Sequence, residues 1–355
     1  MNLKSILQTA IALSAVSVGS AAYAQETIRL TVLAGLPPTH TGVSVVLNTF
    51  IPEVDRILAE SGEYKIDWTE AVGGTVAKQP AIFEAIEDGI GDIGYVNTLF
   101  EGDKLPLEQI TYVTPFGSTD VQDVVKIMTQ LRSQVPEMNE AFEDHNQLHL
   151  ASVCVDNYQL ITKDPVRSLS ELQGLKIGVP GLSANWIKDT GAVPVSGSLS
   201  EYYNAIRTGV YDGIVVFESA IGPFRFHEVA PAIGKVDFGA TYASALTINK
   251  GRFEKLPAPV QEAIVSASKV FEVKVNEYYA TRGANSVNTA LEGGAAIYEW
   301  PQSERVALVN AIPNFAKVWA ADADSKGLPG TKVLNAYMSL SRDAGVEHMR
   351  KWDEE

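Results

Sequence analysis

The sequence predicts an α/β protein of two lobes, with one long helix bracing both. Three observations carry this reading. Strand-like and helix-like segments alternate from residue 28, and the alternation restarts near residue 148. One uninterrupted helical pattern, from 258 to about 292, is longer than a single lobe needs. The length agrees, since 355 residues exceed one simple core and suit two units of about 100–200 residues each.

The chain opens with Lys4, an apolar stretch from Ile6 to Val18 and then Ala22-Tyr23-Ala24. That order reads as a cleaved export signal, with the mature chain starting at Gln25. The apolar run falls short of the roughly 20 residues a membrane span requires. No cysteine follows it, so a lipid anchor is not expected. The mature chain then reads as strand 28–34, loop 37–42 and an amphipathic helix 43–61, in which Val46, Phe50, Val54 and Leu58 share one face. Strand 64–68, helix 77–88 ending at Gly89, and strand 93–96 complete a β-α-β-α-β unit, which implies a parallel sheet covered by helices. After a helical stretch ending near Asp144, strands are expected at 148–155, 158–162, 175–179 and 213–216, with helices at 183–190 and 200–207. No low-complexity linker intervenes, so the lobes should share crossing segments. The predicted division is lobe I over 25–150 and about 238–258, and lobe II over 151–237. The long helix takes 258–292, and helical segments over 293–355 pack on the lobes.

Past Pro259, which a first helical turn tolerates, there is no proline up to Leu291 and one glycine, Gly283, while Val260, Ile264, Ala267, Val270, Phe271 and Val275 recur at three- and four-residue steps. Apolar heptads stop too soon for a coiled coil. The net charge of −15 becomes −16 once the first 24 residues leave with their single lysine. Such acidity disfavours nucleic acid and anionic membrane surfaces as partners. Cys154 is the only cysteine and lies in an apolar run, so it has no intramolecular disulfide partner and reads as a buried small hydrophobe.

Familiar catalytic signatures are absent: no G-x-S-x-G, H-E-x-x-H, C-x-x-C or Walker-type sequence occurs, and the one G-x-G-x-x-G, residues 89–94, runs into the expected strand 93–96 instead of following a strand and opening a helix. Gly73-Gly74-Thr75 is the nearest approach to an anion-binding turn, and as a lone signal it reads equally as a helix-entry loop. His145 and His149 stand four apart, but His149 adjoins a predicted strand, which argues against a shared metal-binding face. No metal, no cofactor and no enzymatic activity are expected.

From residue 153 the chain resembles a known family in detail. Residues 166–181, VRSLSELQGLKIGVPG, are similar to the "P-I-x-S-x-x-D-L-x-G-L-K-I-R-V-P-G" segment of the solute receptors of tripartite ATP-independent periplasmic (TRAP) transporters, the dicarboxylate-receptor or DctP family. Gly191-Ala192-Val193-Pro194 matches its "G-A-x-P", and residues 200–213, SEYYNAIRTGVYDG, match "S-E-x-Y-x-A-L-x-x-G-V-x-D-G". Ile248-Asn249-Lys250, Phe253, Leu256-Pro257 and Val260-Gln261 follow the pattern before its long helix. Thr114-Pro115-Phe116 and Gly89-Ile90-Gly91-Asp92 stand where upstream family motifs fall.

The resemblance implies a two-lobed periplasmic binding-protein fold with a ligand cleft between the lobes, in the periplasm of a Gram-negative bacterium. It also implies a monomer that captures a small organic solute and delivers it to the small and large integral membrane subunits of an ion-gradient-driven transporter. A sensory receptor presenting its closed form to a membrane kinase, or an enzyme on the same scaffold, are the alternatives.

Family members usually hold an organic acid with arginines, and here the sequence departs. The arginine of "L-K-I-R-V-P" is Gly178, and a second, in "G-F-R", aligns with Gln159. The polar "Q-E-N-P" after "D-G" has become Ile214-Val215-Val216-Phe217, followed by Glu218. A buried carboxylate without a partner charge loses about 3–5 kcal/mol, or roughly two to four decades of affinity. Either another cation replaces the clamp, with Arg225 the candidate, or the solute is neutral, aromatic or cationic. In the second case Tyr158, Trp186, Tyr202 and Phe217 supply ring faces and Glu218 or Glu70 holds a positive group. His40 and Asn97, at strand ends of lobe I, complete the candidate ligand-binding set.

Overall fold

The computed structural model describes residues 25–354, so the export-signal expectation falls outside the described residues. Strands β1 (Glu26–Ala34), β2 (Tyr64–Ala71), β3 (Ile93–Val96) and β4 (Gln147–Val155) lie in one sheet. β5 (Tyr158–Thr162), β6 (Lys176–Val179), β7 (Val193–Ser196), β8 (Gly213–Phe217) and β9 (Ala232–Lys235) lie in a second. β10 (Thr241–Asn249) returns to the first, and β11 (Ala296–Glu299) joins the second. The orders are β2-β1-β3-β10-β4 and β11-β9-β5-β8-β6-β7. β1 pairs in parallel with β2 and β3, as the alternating pattern requires, while β10 runs antiparallel between β3 and β4.

The expected boundary at 150–151 falls inside β4, which stays in the first sheet to Val155. The chain therefore changes lobe at Asp156-Asn157 and back again between Lys235 and Thr241. The C-terminal region is not purely helical either. β11 pairs with β9 before three helices, Gln302–Ala311, Phe315–Ser325 and Gly330–Asp343, cover the lobes. Trp352 fixes the tail, fully buried with its indole N–H donating to the Pro115 carbonyl at 3.0 Å.

The long helix spans Ala258–Glu292, 35 residues or about 52 Å. It packs on β4 and on the helix Ile51–Ser61 in lobe I, and on the short helix Glu218–Ile221 in lobe II. β4 is an edge strand, and side chains of the long helix satisfy that edge. Glu272 accepts from the Ser152 amide at 2.7 Å, and Asn276 accepts from the Cys154 amide at 2.9 Å and donates to the Ser152 carbonyl at 3.1 Å. Cys154 is buried there, and burial pushes its thiol far above the ordinary range.

Two helices differ from expectation. The segment expected as one helix over 43–61 starts at Thr41 and carries a five-residue π-helical segment, Val46–Phe50. Pro52 follows in the next turn; it has no N–H to donate, so the regular hydrogen-bond ladder is interrupted there. The helix expected at 183–190 is a 3₁₀ segment, Gly181–Ile187, that begins directly after Pro180.

Candidate functional site

The carboxyl end of β3 and the antiparallel β10 bring Tyr95, Asn97, Ala243 and Ser244 of lobe I opposite β5 and β8 of lobe II. Between them lies a cavity with about 390 Å³ of atom-free space. Lobe II contributes rings and aliphatic groups, chiefly Tyr158, Tyr202, Val215 and Phe217, and Phe100 faces them from lobe I. Tyr158 and Phe217 meet edge to face with centroids 5.5 Å apart. No lysine, arginine, aspartate or glutamate lines this cavity among the described residues.

Its polar groups are neutral, and those left without partners come from lobe I. Asn97 is 5 % exposed and donates through Nδ2 to Ser244 Oγ at 2.8 Å, leaving Oδ1 without a hydrogen-bond partner. Gln79 Oε1, the Tyr95 hydroxyl and His40 Nδ1 are also buried without partners. Burial lowers the His40 pKa to about 3, so the imidazole is uncharged, and raises Tyr95 to about 12. Gly42 makes room for the Tyr95 ring: a Cβ at that position would stand 2.1 Å from its hydroxyl oxygen.

Five of the sequence-chosen residues therefore meet at one cavity: His40, Asn97, Tyr158, Tyr202 and Phe217. The others lie elsewhere. Trp186 is fully buried between Tyr112 and Phe238, stacked on both, and its N–H donates to the Tyr112 carbonyl at 2.7 Å. Its ring faces are spent in the core. Arg225 sits in the left-handed region, largely exposed, and pairs with Glu228, with Nε 2.7 Å from Oε1. It is a surface ion pair and replaces no clamp in this cavity. Glu70 is exposed on edge strand β2.

Gln159 and Glu218 belong to the hinge. Alternation along β5 turns Gln159 away from Tyr158, and its amide donates to Glu218 Oε1 at 2.8 Å and to Asp237 Oδ1 at 2.7 Å. Glu218 Oε1 also meets Lys235 Nζ at 2.5 Å. Gly178 faces Tyr211, not the cavity: a Cβ at 178 would stand 2.9 Å from two ring carbons of Tyr211 and 3.0 Å from Ile214 Cγ2. Tyr211, held by its hydroxyl to the Ser196 carbonyl at 3.1 Å, fills the room a side chain at 178 would need.

The Gly73-Gly74 turn is structural. Both residues have positive φ, and their amides donate to the carbonyls of Leu36 and Ala34 at 2.9 and 3.1 Å. His145 binds Glu87 at 2.9 Å and His149 faces Ser152 at 3.2 Å, so the two rings have separate partners. The polar and aromatic cavity residues that sequence reasoning missed are Gln79, Tyr95, Phe100 and Ser244. Only Tyr95 carried a signal, as the polar-tipped ring in an otherwise apolar strand, Ile93–Val96.

A family model described as "Bacterial extracellular solute-binding protein, family 7", the DctP family, matches residues 58–322. The chain belongs to that family. Its members are TRAP solute-binding proteins, so the sequence resemblance holds, as does the two-lobed α/β fold. A solute-binding protein of Sulfitobacter sp. NAS-14.1 is 31 % identical over 112 residues, and one of Albidiferax ferrireducens is 29 % identical over 138. These matches span 34 % and 41 % of the relatives' own length.

Solved structures match nearly end to end. A Bordetella pertussis extracytoplasmic solute receptor binding pyroglutamic acid has a TM-score of 0.76 at 20 % identity, over 87 % of this chain and 99 % of that one. A TRAP solute-binding protein of Rhodoferax ferrireducens in complex with copurified benzoate has a TM-score of 0.78 at 20 % identity, over 90 % and 98 %. Both share the DctP-family fold. No helix among the described residues is long and apolar enough to cross a membrane.

Proposed function

We propose that this DctP-family protein is the periplasmic receptor of a TRAP transporter for a small, flat, uncharged solute that donates hydrogen bonds. The observation that carries the reading is the cavity's inventory: apolar rings on one side, neutral polar groups on the other and no charged side chain. Asn97 Oδ1 and Gln79 Oε1 are buried acceptors lacking donors. An unsatisfied buried polar group costs about 1–3 kcal/mol. A solute N–H or O–H aimed at either atom relieves that cost only when the lobes are closed around it, which is the differential affinity closure requires. A carboxylate offers acceptors to acceptors and loses its hydration without gaining a cation. Tyr158 and Phe217 set ring faces against a planar body.

In this reading the five cavity residues named above are the ligand contacts. The loaded, closed form is delivered to the small and large membrane subunits, and export depends on the signal at residues 1–24. A thermal-shift screen of the mature protein against neutral amides, phenols, polyols, amines and organic acids tests it, because a solute bound only by the folded state raises the melting temperature. Neutral donor-bearing hits that vanish in Asn97→Ala and Phe217→Ala support the reading. Hits confined to acids, or unaffected by both substitutions, overturn it.

A further inference from the structure

The two crossing segments are tied together. Tyr158 and Gly239 are joined by an N–H···O bond of 3.1 Å, and Asn157 donates to Asp237 Oδ1 at 2.7 Å and accepts from the Gly239 amide at 3.1 Å. Any rotation of one lobe against the other must pass through this knot. Asp156 stands at its edge, 6 % exposed. Its Oδ1 accepts from the Ser219 amide at 3.1 Å, while Oδ2 has no partner.

The charges around it do not balance. From β8 and the short helix after it comes Glu218; from the second crossing, Lys235 and Asp237; from the helix Gln302–Ala311, Arg305. Lys235 serves Glu218 at 2.5 Å and approaches Asp237 at 4.0 Å, and Arg305 Nη2 lies 3.9 Å from Asp237 Oδ2. Three carboxyl groups therefore share two cations, and Asp156 is the one without. The long helix adds no charge here, presenting Tyr279 and Gly283 to the same recess. A Cβ on Gly283 would come 3.2 Å from Asp156 Oδ2 and 3.1 Å from Glu218 Oε2, so the two carboxyl groups converge on the helix at its glycine. Asp120, at the head of the helix Val121–Gln134, lines the outer side of the recess.

We propose that Asp156 is a proton switch for lobe closure: it holds a proton when the hinge is closed and, once ionised, drives the hinge open toward water. This deepens the receptor reading by supplying a control on the same cleft. Burial first, and the neighbouring Glu218 charge after it, raise the Asp156 pKa to about 7. The closed form is therefore protonated below that value. Above it, the closed form must bury an unpaired anion, which the open form hydrates. Solute affinity should accordingly fall as pH rises toward 7 and level off above it, because below that value closure takes up a proton.

The test is small-angle X-ray scattering on the mature, solute-free protein from pH 5.5 to 8.5, with circular dichroism confirming that each variant is folded. The radius of gyration of the native protein is expected to rise as pH climbs toward 7 and to level off above it. Asp156→Asn, which keeps the acceptor for the Ser219 amide, should stay compact throughout. Glu218→Gln, which removes the neighbouring charge, should shift the midpoint to lower pH, and it serves alone if Asp156→Asn fails to fold. A radius independent of pH, an Asp156→Asn variant that opens with the native midpoint, or a Glu218→Gln midpoint that does not move overturns the proposal. No solute enters the measurement, so a wrong solute class leaves its outcome intact.

Discussion

The sequence resemblance sets Gly178 against the family's clamping arginine, and the packing around it predicts that a side chain cannot simply be added there. A methyl group added at 178 meets Tyr211 Cδ2 and Cε2 at 2.9 Å and Ile214 Cγ2 at 3.0 Å. These are not yielding side-chain ends. Tyr211 is 5 % exposed, its ring contacts Tyr202 with centroids 6.0 Å apart, and its hydroxyl is held by Ser196. Gly178→Ala should therefore cost about 1–3 kcal/mol by overpacking, with a fall in melting temperature of about 2–4 °C per kcal/mol. Tyr211→Ala removes a large buried ring and should cost about 3–5 kcal/mol. In that background the new methyl has room, so the double variant should match Tyr211→Ala alone, a coupling of about 1–3 kcal/mol. Urea unfolding of the native protein and the three variants closes the cycle. Costs that add within about 0.5 kcal/mol would mean the two sites are independent, and the claim that Tyr211 fills the room a side chain at 178 would need would fail.

Two further predictions concern buried charge. Arg132 and Glu108 form a buried pair at 2.6 Å, with Glu108 side-chain exposure of 1 %, so Arg132→Met should lose about 3–5 kcal/mol by stranding the carboxylate. Adding Glu108→Gln should recover part of that loss, measured by the same unfolding curves. His40 is held neutral by burial, with a pKa lowered to about 3, whereas the unfolded chain takes up its proton near 6.5. Stability should therefore fall as pH drops below 6.5, by about 1.4 kcal/mol per unit from this group. His40→Gln should remove one proton's worth of that slope between pH 6 and 4. An unchanged slope would place the uptake elsewhere.

Most of the architecture was legible because it rests on local pattern. The strand and helix order that placed β1, β2 and β3 is the order of a parallel sheet covered by helices, and the length of the helix Ala258–Glu292 was set by the absence of proline beyond Pro259 in its first turn and the near-absence of glycine. The lobe boundary was missed by a few residues because β4 is apolar through Val155, and nothing in its composition marks where pairing ends. β11 was missed because four residues after a long helix carry no period.

The cavity was half legible. Tyr158 and Phe217 are partners on the paired strands β5 and β8 and Tyr202 is on the buried face of the helix Leu199–Arg207, so strand and helix phase placed them, whereas Gln159, next to Tyr158 on β5, points the other way. Trp186 and Tyr158 look alike in sequence, and only tertiary packing separates a ring facing a cavity from one stacked between Tyr112 and Phe238. Arg225 shows the same limit: its Glu228 partner sits three residues on, and a short-range ion pair is as available to a surface arginine as a ligand is to a buried one.

The central claim is that this cavity selects against ionised solutes. Isothermal titration of the mature protein at neutral pH with matched acid and amide pairs of the same skeleton, benzoate and benzamide among them, tests it most directly. The amides should bind more tightly than their acids, with a ratio of tens or more, and Asn97→Ala should compress that ratio. Acids binding as tightly as their amides, or more tightly, would contradict it and would require a cation that this cavity does not contain.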